Sequence, residues 1–386
     1  MKRTALRTLS LLLVLCACKS TADYSRTLPD GASALIPLGP KDKKPDLSGQ
    51  WEERDEILPA LDLSIVWTKR EHAQRFFPQA GITHERALRS LERFREILGG
   101  ASGPEDFHKQ LENEFQIYKS AGWDGRGGGV LFTAYCTPIL RGSRERTDEY
   151  RYPLYALPPD LVKERDGTVK GWDMALGMLP NYPSRGAIEA GGLLANRGLE
   201  LVWLADPIDA YIAHVNGSAF IELPDGTLER LGYAGKNGRP YRSLGKELVA
   251  DGKIKKGKAS LRAIREWAKG ASAEELHDYL SRNQSYVFFT PIAGNPHGSL
   301  DVEVTAGRSI ATDKALFPRG ALVFVEPEPG VAADAPAKRF YFDQDTGGAI
   351  RTAGRADLYL GIGPAAEEVA GHTQLEGQLY YFFLKE

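Results

Sequence analysis

The spacing of apolar residues predicts two helices in the first third of the chain. Between His84 and Tyr118 these residues recur every three or four positions, which is the period of one helix face. The segment "GGASGP" interrupts the pattern, so we expect one helix before it and one after it. The apolar positions are Leu88, Leu91, Phe94, Leu98, Leu111 and Phe115. A glycine-rich turn then leads into "VLFTAY", Val130 to Tyr135, which predicts a strand,.

The middle of the chain has a different pattern. "LELVWLADPIDAYIAHVNGSAFIELPDGTLERLGYAG" is a series of short apolar runs separated by Asn-Gly and Asp-Gly pairs, which are typical of β-hairpins. Helical spacing returns at Leu261, Ile264 and Trp267 and again at Leu276 and Leu280. After "SYVFFTPI" we expect strands and turns to the end. The pattern predicts a mainly β protein with a few helices and excludes a doubly wound α/β fold.

The N-terminal residues indicate export from the cytoplasm. "MKRTALRTLSLLLVLCACKS" begins with basic residues and continues with an apolar run, Leu9 to Leu15, that is too short to span a bilayer,. We therefore predict that residues 1–17 are a secretory signal. Residues 18–48 are polar and rich in proline and glycine, so we expect a flexible tether there.

Cys18 is the predicted first residue of the mature protein. The residues before it, Leu15, Cys16 and Ala17, form the large-x-small pattern of a bacterial lipoprotein cleavage site. We expect a lipid anchor on Cys18, and Lys19 favours the outer membrane, with the protein facing the periplasm. An ordinary cleaved signal with incidental cysteines is the alternative.

Composition excludes several classes of function. The 386 residues carry a formal net charge of −2 with no basic block, which argues against nucleic-acid binding. Cys136 is the one cysteine beyond the N-terminal segment, so no intramolecular disulfide forms there, and its apolar strand favours a buried thiol over a nucleophile. The seven histidines are scattered, and the sequence has neither HExxH nor GxSxG. We therefore predict no metal and no cofactor.

Aspartates beside glycines are the remaining candidates for chemistry. Asp313, Asp345 and Asp357 each end or interrupt an apolar run. Asp beside Gly is most often a turn former, but Asp357 lies between Ala356 and Leu358, where an unpaired charge costs on the order of several kcal/mol. A carboxyl in such a place stays protonated to higher pH, as a proton donor requires.

The motifs, in order, resemble the membrane-bound lytic murein transglycosylase A family. They run from "GGVLFTAYCTP" and "YPLYALPPDL" through "IDAYIAHVNGSAFIELPDG", "GYAGKNGRPY" and "NQSYVFF" to "GRSIATDKALFPRG" and "QDTGGAIRTAGRADLYLGIGP". The last two match the family's domain of three aspartates, which fall here on Asp313, Asp345 and Asp357.

The resemblance implies a double-psi β-barrel with a second β-rich domain inserted into it and a groove between them. Residues 49–140 and 296–386 would form the barrel, and residues 141–295 the insert.

The implied activity is that of a peptidoglycan lytic exotransglycosylase. It would cleave the bond between MurNAc and GlcNAc in glycan strands and leave a 1,6-anhydro-MurNAc end. The barrel is similar to that of inverting endoglucanases with an acid in "FDL", so Asp357 in "ADLY" would be the acid and then the base. Asp345 and Asp313 would support it. A non-catalytic peptidoglycan-binding scaffold and a hydrolase in which Asp345 activates water are the alternatives.

The resemblance also suggests residues that bind the glycan strand, although each has an ordinary packing or turn role as its alternative. Two departures from the family pattern, "GSA" for "GSG" at Ala219 and "TAYC" for "TGYY" at Ala134 and Cys136, lead us to expect a reshaped subsite. The candidate binding residues are Thr133, Tyr135, Gly217, Ser218, Tyr233, Asn237, Tyr241, Gly347 and Gly348.

Overall fold

The computed structural model describes residues 22–164, 168–255, 259–328 and 338–386. No helix within these ranges is both long and apolar enough to cross a membrane. The predicted signal, residues 1–17, and the predicted lipidation site Cys18 lie outside the described residues.

Helices and strands alternate irregularly along the chain. The α-helices are α1 (Arg54–Lys69), α2 (His84–Gly100), α3 (Pro104–Glu114), α4 (Arg185–Glu189), α5 (Pro207–Asn216), α6 (Leu244–Ala250), α7 (Leu261–Gly270), α8 (Ala273–Arg282) and α9 (Pro364–His372), and Glu71–Phe76 is a 3-10 helix. The strands are β1 (Leu35–Pro37), β2 (Phe115–Ser120), β3 (Val130–Thr137), β4 (Ile139–Ser143), β5 (Tyr152–Tyr155), β6 (Leu161–Lys163), β7 (Val169–Met174), β8 (Gly177–Leu179), β9 (Glu200–Leu204), β10 (Ala219–Glu222), β11 (Leu228–Lys236), β12 (Val287–Pro291), β13 (Ser309–Ala311), β14 (Leu322–Pro327), β15 (Arg339–Asp345), β16 (Arg355–Ile362) and β17 (Gln374–Leu384).

A closed β-barrel is the centre of the molecule. Its strands follow the order β17-β14-β15-β13-β16-β3, and pairing of β17 with β3 closes the ring. The pairs β16–β3 and β13–β15 are parallel, and the others are antiparallel. Aromatic side chains fill the interior, where Phe317 stacks on Tyr381 with ring centroids 5.1 Å apart. The predicted fold class, a β-barrel core with an added β-rich region, is confirmed.

Helices α1 to α3 cover one side of the barrel. Thr83 begins α2 because its side chain accepts a hydrogen bond from the backbone N–H of Arg86,. The apolar face of α2, with Phe94 at its centre, packs against Phe340 and other barrel aromatics. Both predicted helices exist, but α3 ends at Glu114. Phe115 begins β2 instead. Phe115 and Ile117, two residues apart, are both buried and so lie on the same face of that strand,.

A second sheet follows β3 in the chain. Its order is β12-β11-β10-β4-β9-β5, and a small separate sheet holds β6, β7 and β8. The chain leaves the barrel at Pro138, between β3 and β4, and returns after β12. The hairpin predicted at Asp225-Gly226 joins β10 to β11. The helical patterns at Leu261 and Leu276 form α7 and α8. The limits predicted for the two domains remain predictions.

The predicted flexible tether is wrong for the residues that the structure describes. Strand β1 pairs with β2, with Leu35 opposite Ser120. Ala34 and Leu35 are buried in the barrel core. The backbone carbonyl of Tyr24 also accepts a hydrogen bond from the Thr352 hydroxyl at 2.7 Å. The few apolar residues in this polar segment are enough to hold it on the barrel.

One run that we assigned to a hairpin is helix α5. The Asp206 side chain accepts a hydrogen bond from the backbone N–H of Ile208, and Pro207 occupies the first helical turn,. Gly217 then ends the helix with a φ of 72°, a left-handed conformation that glycine adopts without steric cost,. Asn216-Gly217 is therefore a helix end and not a hairpin turn.

Candidate active site

Asp357 lies on β16, where this strand runs parallel to β3. Its register partner on β3 is Thr133, whose hydroxyl donates a 2.7 Å hydrogen bond to Oδ1 of Asp357. The Asp357 side chain keeps part of its surface accessible to solvent. Among the described residues no lysine or arginine forms an ion pair with it, although Arg355 attracts it.

Burial changes the acidity of Asp357. Loss of solvent raises the pKa of this carboxyl from 3.8 to about 6,. The hydrogen bond from Thr133 and the charge of Arg355 oppose this rise, and the negative charge of Asp345 adds to it. Asp357 therefore keeps its proton at a pH where an ordinary aspartate has lost it. Such a group can donate a proton to a ligand in the groove.

Asp345 lies at the end of β15, two strands away from Asp357. Ala311 on β13 is the register partner of both aspartates, so their Cα atoms are separated by about 10 Å, twice the spacing of paired strands. Oδ2 of Asp345 accepts a 2.7 Å hydrogen bond from the Tyr135 hydroxyl, and Oδ1 accepts one from the backbone N–H of Ser299. Burial raises the pKa of Asp345, and these hydrogen bonds oppose the rise.

Asp313 has a different position, in the turn after β13. It is 7% exposed and accepts hydrogen bonds from the backbone N–H groups of Ala315 and Thr352. Thr352 has a φ of 80°, which is costly for a β-branched residue,. Asp313 thus holds a strained turn five residues before Asp357. Asp357 and Asp345 therefore lie two strands apart in the barrel, and Asp313 contacts the turn that precedes Asp357.

The insert provides the opposite wall of the groove. Tyr233 is 51% exposed, and a Cβ atom on Gly217 would lie 3.6 Å from its ring. Ser218 follows Gly217, and its hydroxyl lies 3.4 Å from that of Thr137 on the barrel. These three candidate residues therefore lie together beside β3.

Tyr241 and Gly348 mark a close approach between the insert and the barrel. A Cβ atom on Gly348 would lie 3.4 Å from Cβ of Tyr241, so a larger side chain at this glycine would press against the tyrosine. Gly347 precedes it in the turn after Asp345. Burial raises the pKa of the Tyr241 phenol, and the charge of Asp357 adds to the effect. The Tyr241 hydroxyl is therefore neutral and close enough to Asp357 to sense its charge.

Two expectations about the insert are wrong. Asn237 is fully buried, and its amide makes four hydrogen bonds, two to backbone carbonyls and two from backbone N–H groups. These hydrogen bonds use both N–H groups and the oxygen of the amide, so none is available to bind a sugar and the role of Asn237 is structural. Ala219 is also fully buried, in the core of the second sheet, and cannot reshape a subsite by contact.

A cavity of about 230 Å³ lies between the barrel and the insert, beside Thr133 and Tyr135. Ala134 and Cys136, which together form the other departure from the family pattern, line it. Burial raises the pKa of the Cys136 thiol to about 12, so this group is not a nucleophile near neutral pH. The lining residues are Thr133, Ala134, Tyr135, Cys136, Asn216, Ala259, Ser260, Leu261, Glu367, Ala370, Gly371, Thr373 and Gln374.

Sequence reasoning missed the charged partners of the aspartates. Arg355 reaches Thr133, with Nη2 3.3 Å from its hydroxyl oxygen. Lys314 forms a buried ion pair with Asp343, which also accepts hydrogen bonds from Thr312 and Tyr381. No local pattern identifies these contacts, because strand pairing brings the partners together. Across the described ranges, no cluster of histidine, cysteine and acidic residues could hold a metal ion.

Comparison with known proteins identifies the family. Residues 131–290 match the model of the MltA specific insert domain, and residues 308–383 match the 3D domain. The membrane-bound lytic murein transglycosylase A of Vibrio cholerae is 33% identical over 265 residues, which are 67% of each chain. This chain belongs to the membrane-bound lytic murein transglycosylase A family. The two matched regions contain every candidate catalytic and glycan-binding residue: the insert match covers the binding residues from Thr133 to Tyr241, and the 3D match covers Gly347, Gly348 and the three aspartates.

Solved structures of the family agree with the fold. A membrane-bound lytic murein transglycosylase from Agrobacterium tumefaciens has a TM-score of 0.74 at 24% identity, with 91% of this chain and 98% of that chain covered. E. coli MltA with bound chitohexaose has a TM-score of 0.69 at 26% identity, with 95% and 100% covered. The barrel and its insert are therefore arranged as in this family.

Proposed function

We propose that this lytic transglycosylase cleaves the β-1,4 bond between MurNAc and GlcNAc in peptidoglycan with Asp357 as its single acid and base. The observation that carries this proposal is the environment of Asp357. Its carboxyl accepts a hydrogen bond from Thr133, which lines the cavity between barrel and insert. It has no ion-pair partner among the described residues, and burial raises its pKa to about 6. A relative, E. coli MltA, has been solved with a bound glycan, chitohexaose.

In the first step Asp357 donates its proton to the glycosidic oxygen. As the bond to C1 of MurNAc breaks, positive charge develops on the sugar ring. The ionised Asp357 then accepts the proton of the 6-hydroxyl of MurNAc, and that oxygen bonds to C1. The products are a free 4-hydroxyl on GlcNAc and a 1,6-anhydro-MurNAc end, so no water is consumed. Because the nucleophile belongs to the substrate, a second carboxylate is unnecessary.

Asp345 and Asp313 have supporting roles in this proposal. Asp345 accepts a hydrogen bond from the Tyr135 hydroxyl, and this contact fixes the tyrosine beside Asp357. Its own negative charge favours the protonated form of Asp357 and stabilises positive charge on the sugar ring. Asp313 holds the turn before Asp357 through Thr352. Thr133, Tyr135, Gly217, Ser218, Tyr233, Tyr241, Gly347 and Gly348 would border the bound strand.

The protein would act at the outer membrane. Relatives of this chain carry the description membrane-bound, and the Cys18 pattern supports a lipid anchor that faces the periplasm. In this proposal residues 49–140 and 296–386 form the catalytic barrel, and residues 141–295 form the insert that closes the groove over the glycan.

Mass spectrometry of digested peptidoglycan tests the proposal. Purified full-length protein in detergent is incubated with intact sacculi, beside the Asp357→Asn variant. We expect the wild type to release muropeptides one water molecule lighter than muramidase products, and the variant to release none. Circular dichroism confirms that the variant is folded.

Other products would overturn the proposal in different ways. Full-mass reducing ends would identify a hydrolase, and Asp345 would then be the group that activates water. Retained activity in Asp357→Asn would assign the acid to another residue. Sacculi that bind the protein without being cut would identify a scaffold.

A further inference from the structure

Arg355 lies beside the candidate acid without a carboxylate partner. It precedes Asp357 by two residues on β16, so both side chains leave the same face of the strand,. Among the described residues it forms no ion pair, and its Nε–H is buried without a hydrogen-bond partner. Its one hydrogen bond in that part of the chain joins Nη2 to the Thr133 hydroxyl at 3.3 Å. Most of the donor groups of this arginine therefore have no hydrogen-bond partner among the described residues.

The chemistry of the two groups fixes the direction of this contact. Arginine can only donate, so the oxygen of the Thr133 hydroxyl is the acceptor. That hydroxyl has a single proton of its own, and Oδ1 of Asp357 is 2.7 Å away. The neighbouring positive charge draws electron density from the hydroxyl oxygen and makes its proton a stronger donor. The series of hydrogen bonds runs from Arg355 through Thr133 to Oδ1 of Asp357.

We infer that Arg355 is a positioning residue for the proposed reaction: it orients the Thr133 hydroxyl so that Oδ1 of Asp357 accepts a hydrogen bond and Oδ2 carries the acid proton. The inference rests on the proposed role of Asp357. Oδ1 is already occupied as an acceptor, so Oδ2 is the oxygen that can hold a proton and face the substrate. When Asp357 is ionised, the same hydrogen bond stabilises the carboxylate until it accepts the 6-hydroxyl proton.

The other groups around Asp357 do not supply this orientation. Asp345 on β15 raises the pKa of Asp357 and does not lower it, and its Oδ2 accepts the hydrogen bond from Tyr135. Tyr135 and Cys136 on β3 and Tyr241 in the insert face Asp357 as neutral groups whose pKa values lie above 10. Arg355 is therefore the positive group in the described part of the site that can polarise Thr133.

Titration of Asp357 in the free protein tests the inference without substrate. The 13C NMR signal of its side-chain carboxyl, assigned by its loss in Asp357→Asn, reports the pKa directly. We expect Arg355→Met to raise this pKa by about one pH unit, because a nearby positive charge and a stabilising hydrogen bond are both lost. Thr133→Val should raise it in the same direction, and the double variant should shift it less than the sum of the single shifts. Thr133→Ser, which keeps the hydroxyl, should leave it close to the wild-type value.

The pH profile of kcat/KM supplies the second readout. In Arg355→Met the fall in activity on the basic side should move to higher pH with the Asp357 titration, and Arg355→Lys should move it most of the way back. A merely structural role would lower activity equally at every pH. An unchanged Asp357 titration in both Arg355→Met and Thr133→Val, or additive shifts in the double variant, would overturn the inference. A wild type that makes no anhydro product while the titration shifts as expected would reject the proposed function and leave only the hydrogen-bonded series from Arg355 through Thr133 to Asp357 standing.

Discussion

Two aspartates of the same barrel illustrate how differently burial can be used. Asp343 on β15 is fully buried and pairs with Lys314, and hydroxyl groups of Thr312 and Tyr381 occupy its oxygens. Asp357 on β16 is also surrounded by protein, but its only close hydrogen-bond donor in the described residues is Thr133. Asp343 is closed to any ligand. Asp357 keeps part of its surface accessible to solvent.

This difference distinguishes a carboxylate that stabilises the fold from one that can take part in a reaction. Burial raises the pKa of both groups. At Asp343 the Lys314 charge and the hydrogen bonds from Thr312 and Tyr381 oppose that rise, and the group links β15 to β17. At Asp357 none of the described residues brings such a charge into contact, so its pKa stays raised and the group keeps a proton that it can donate. A raised pKa indicates function only where the group also has access to a ligand.

Lys314→Met gives the largest expected effect on stability. The substitution leaves the Asp343 carboxylate buried without its partner, which costs about 3–5 kcal/mol. The free energy of unfolding, measured with urea, should fall by this amount. Partial protonation of Asp343 would place the result at the lower end of the range.

Two controls separate the ion pair from the packing around it. Adding Asp343→Leu to Lys314→Met should recover most of the loss, because no buried charge remains. Lys253→Met removes a surface pair with Glu275, and this change should cost less than about 1 kcal/mol. If both lysine variants lose equal stability, the contrast between the two aspartates is wrong.

Asp345→Asn tests whether the second groove carboxylate supports Asp357. We expect activity on sacculi to fall by about 10²-fold, because the charge that favours protonated Asp357 and stabilises the sugar cation is lost. Release of anhydro-muropeptides over time gives the rate. Tyr135→Phe is the matched control, since it removes one hydrogen bond to Asp345 and keeps the charge; its loss should be smaller. Wild-type rates in Asp345→Asn would show that Asp357 acts without this partner.

Much of the fold follows from local patterns. The apolar spacing after His84 and after Leu261 predicts α2 and α7, because each helix buries or packs one continuous face. Helix α5 was missed because its ten residues include apolar and aromatic side chains that also suit strands. Strand β1 is not predicted, because three residues are too few to show the alternation of apolar and polar side chains that marks a strand. Only tertiary pairing with β2 gives that segment its structure.

The site was partly predictable for a related reason. Asp357 can be recognised from its neighbours in the sequence, because it is an acidic residue inside an apolar run. Thr133 lies 224 positions earlier in the chain, and its contact with Asp357 depends on the parallel pairing of β3 with β16. The roles of Arg355 and Asn237 are invisible in the same way. Arg355 resembles a surface charge in the sequence, and Asn237 resembles a turn residue with a free amide.

The pH dependence of activity sharpens the contrast further. If protonated Asp357 is the acid, activity should decline as pH rises through its pKa of about 6. Above that value the rate should fall about tenfold for each pH unit. Initial rates on sacculi between pH 4.5 and 8, with folding checked at each pH, give the profile. A rate that is constant from pH 5 to pH 8 would mean that another group donates the proton.

Replacing Asp357 should change the free energy of unfolding by the smallest amount, but we expect a gain in stability where most replacements cause a loss. The folded-state pKa of Asp357 lies above the unfolded value of 3.8, so the folded protein holds this proton more tightly than the unfolded chain does. Ionisation therefore lowers the stability of the fold as pH rises from about 4 to about 6, and the loss is complete above that range. Asparagine at this position has no charge to desolvate.

We accordingly expect Asp357→Asn to be more stable than the wild type at pH 7.5 by about 1 kcal/mol, and to show no gain at pH 4. Urea unfolding at the two pH values measures the difference. Asp343→Asn is the matched comparison, because it leaves the Lys314 charge buried and unpaired and should lower stability at pH 7.5. One barrel would then hold an aspartate whose removal improves the fold and another whose removal damages it. Equal losses from both replacements would mean that Asp357, like Asp343, is held in place for structure.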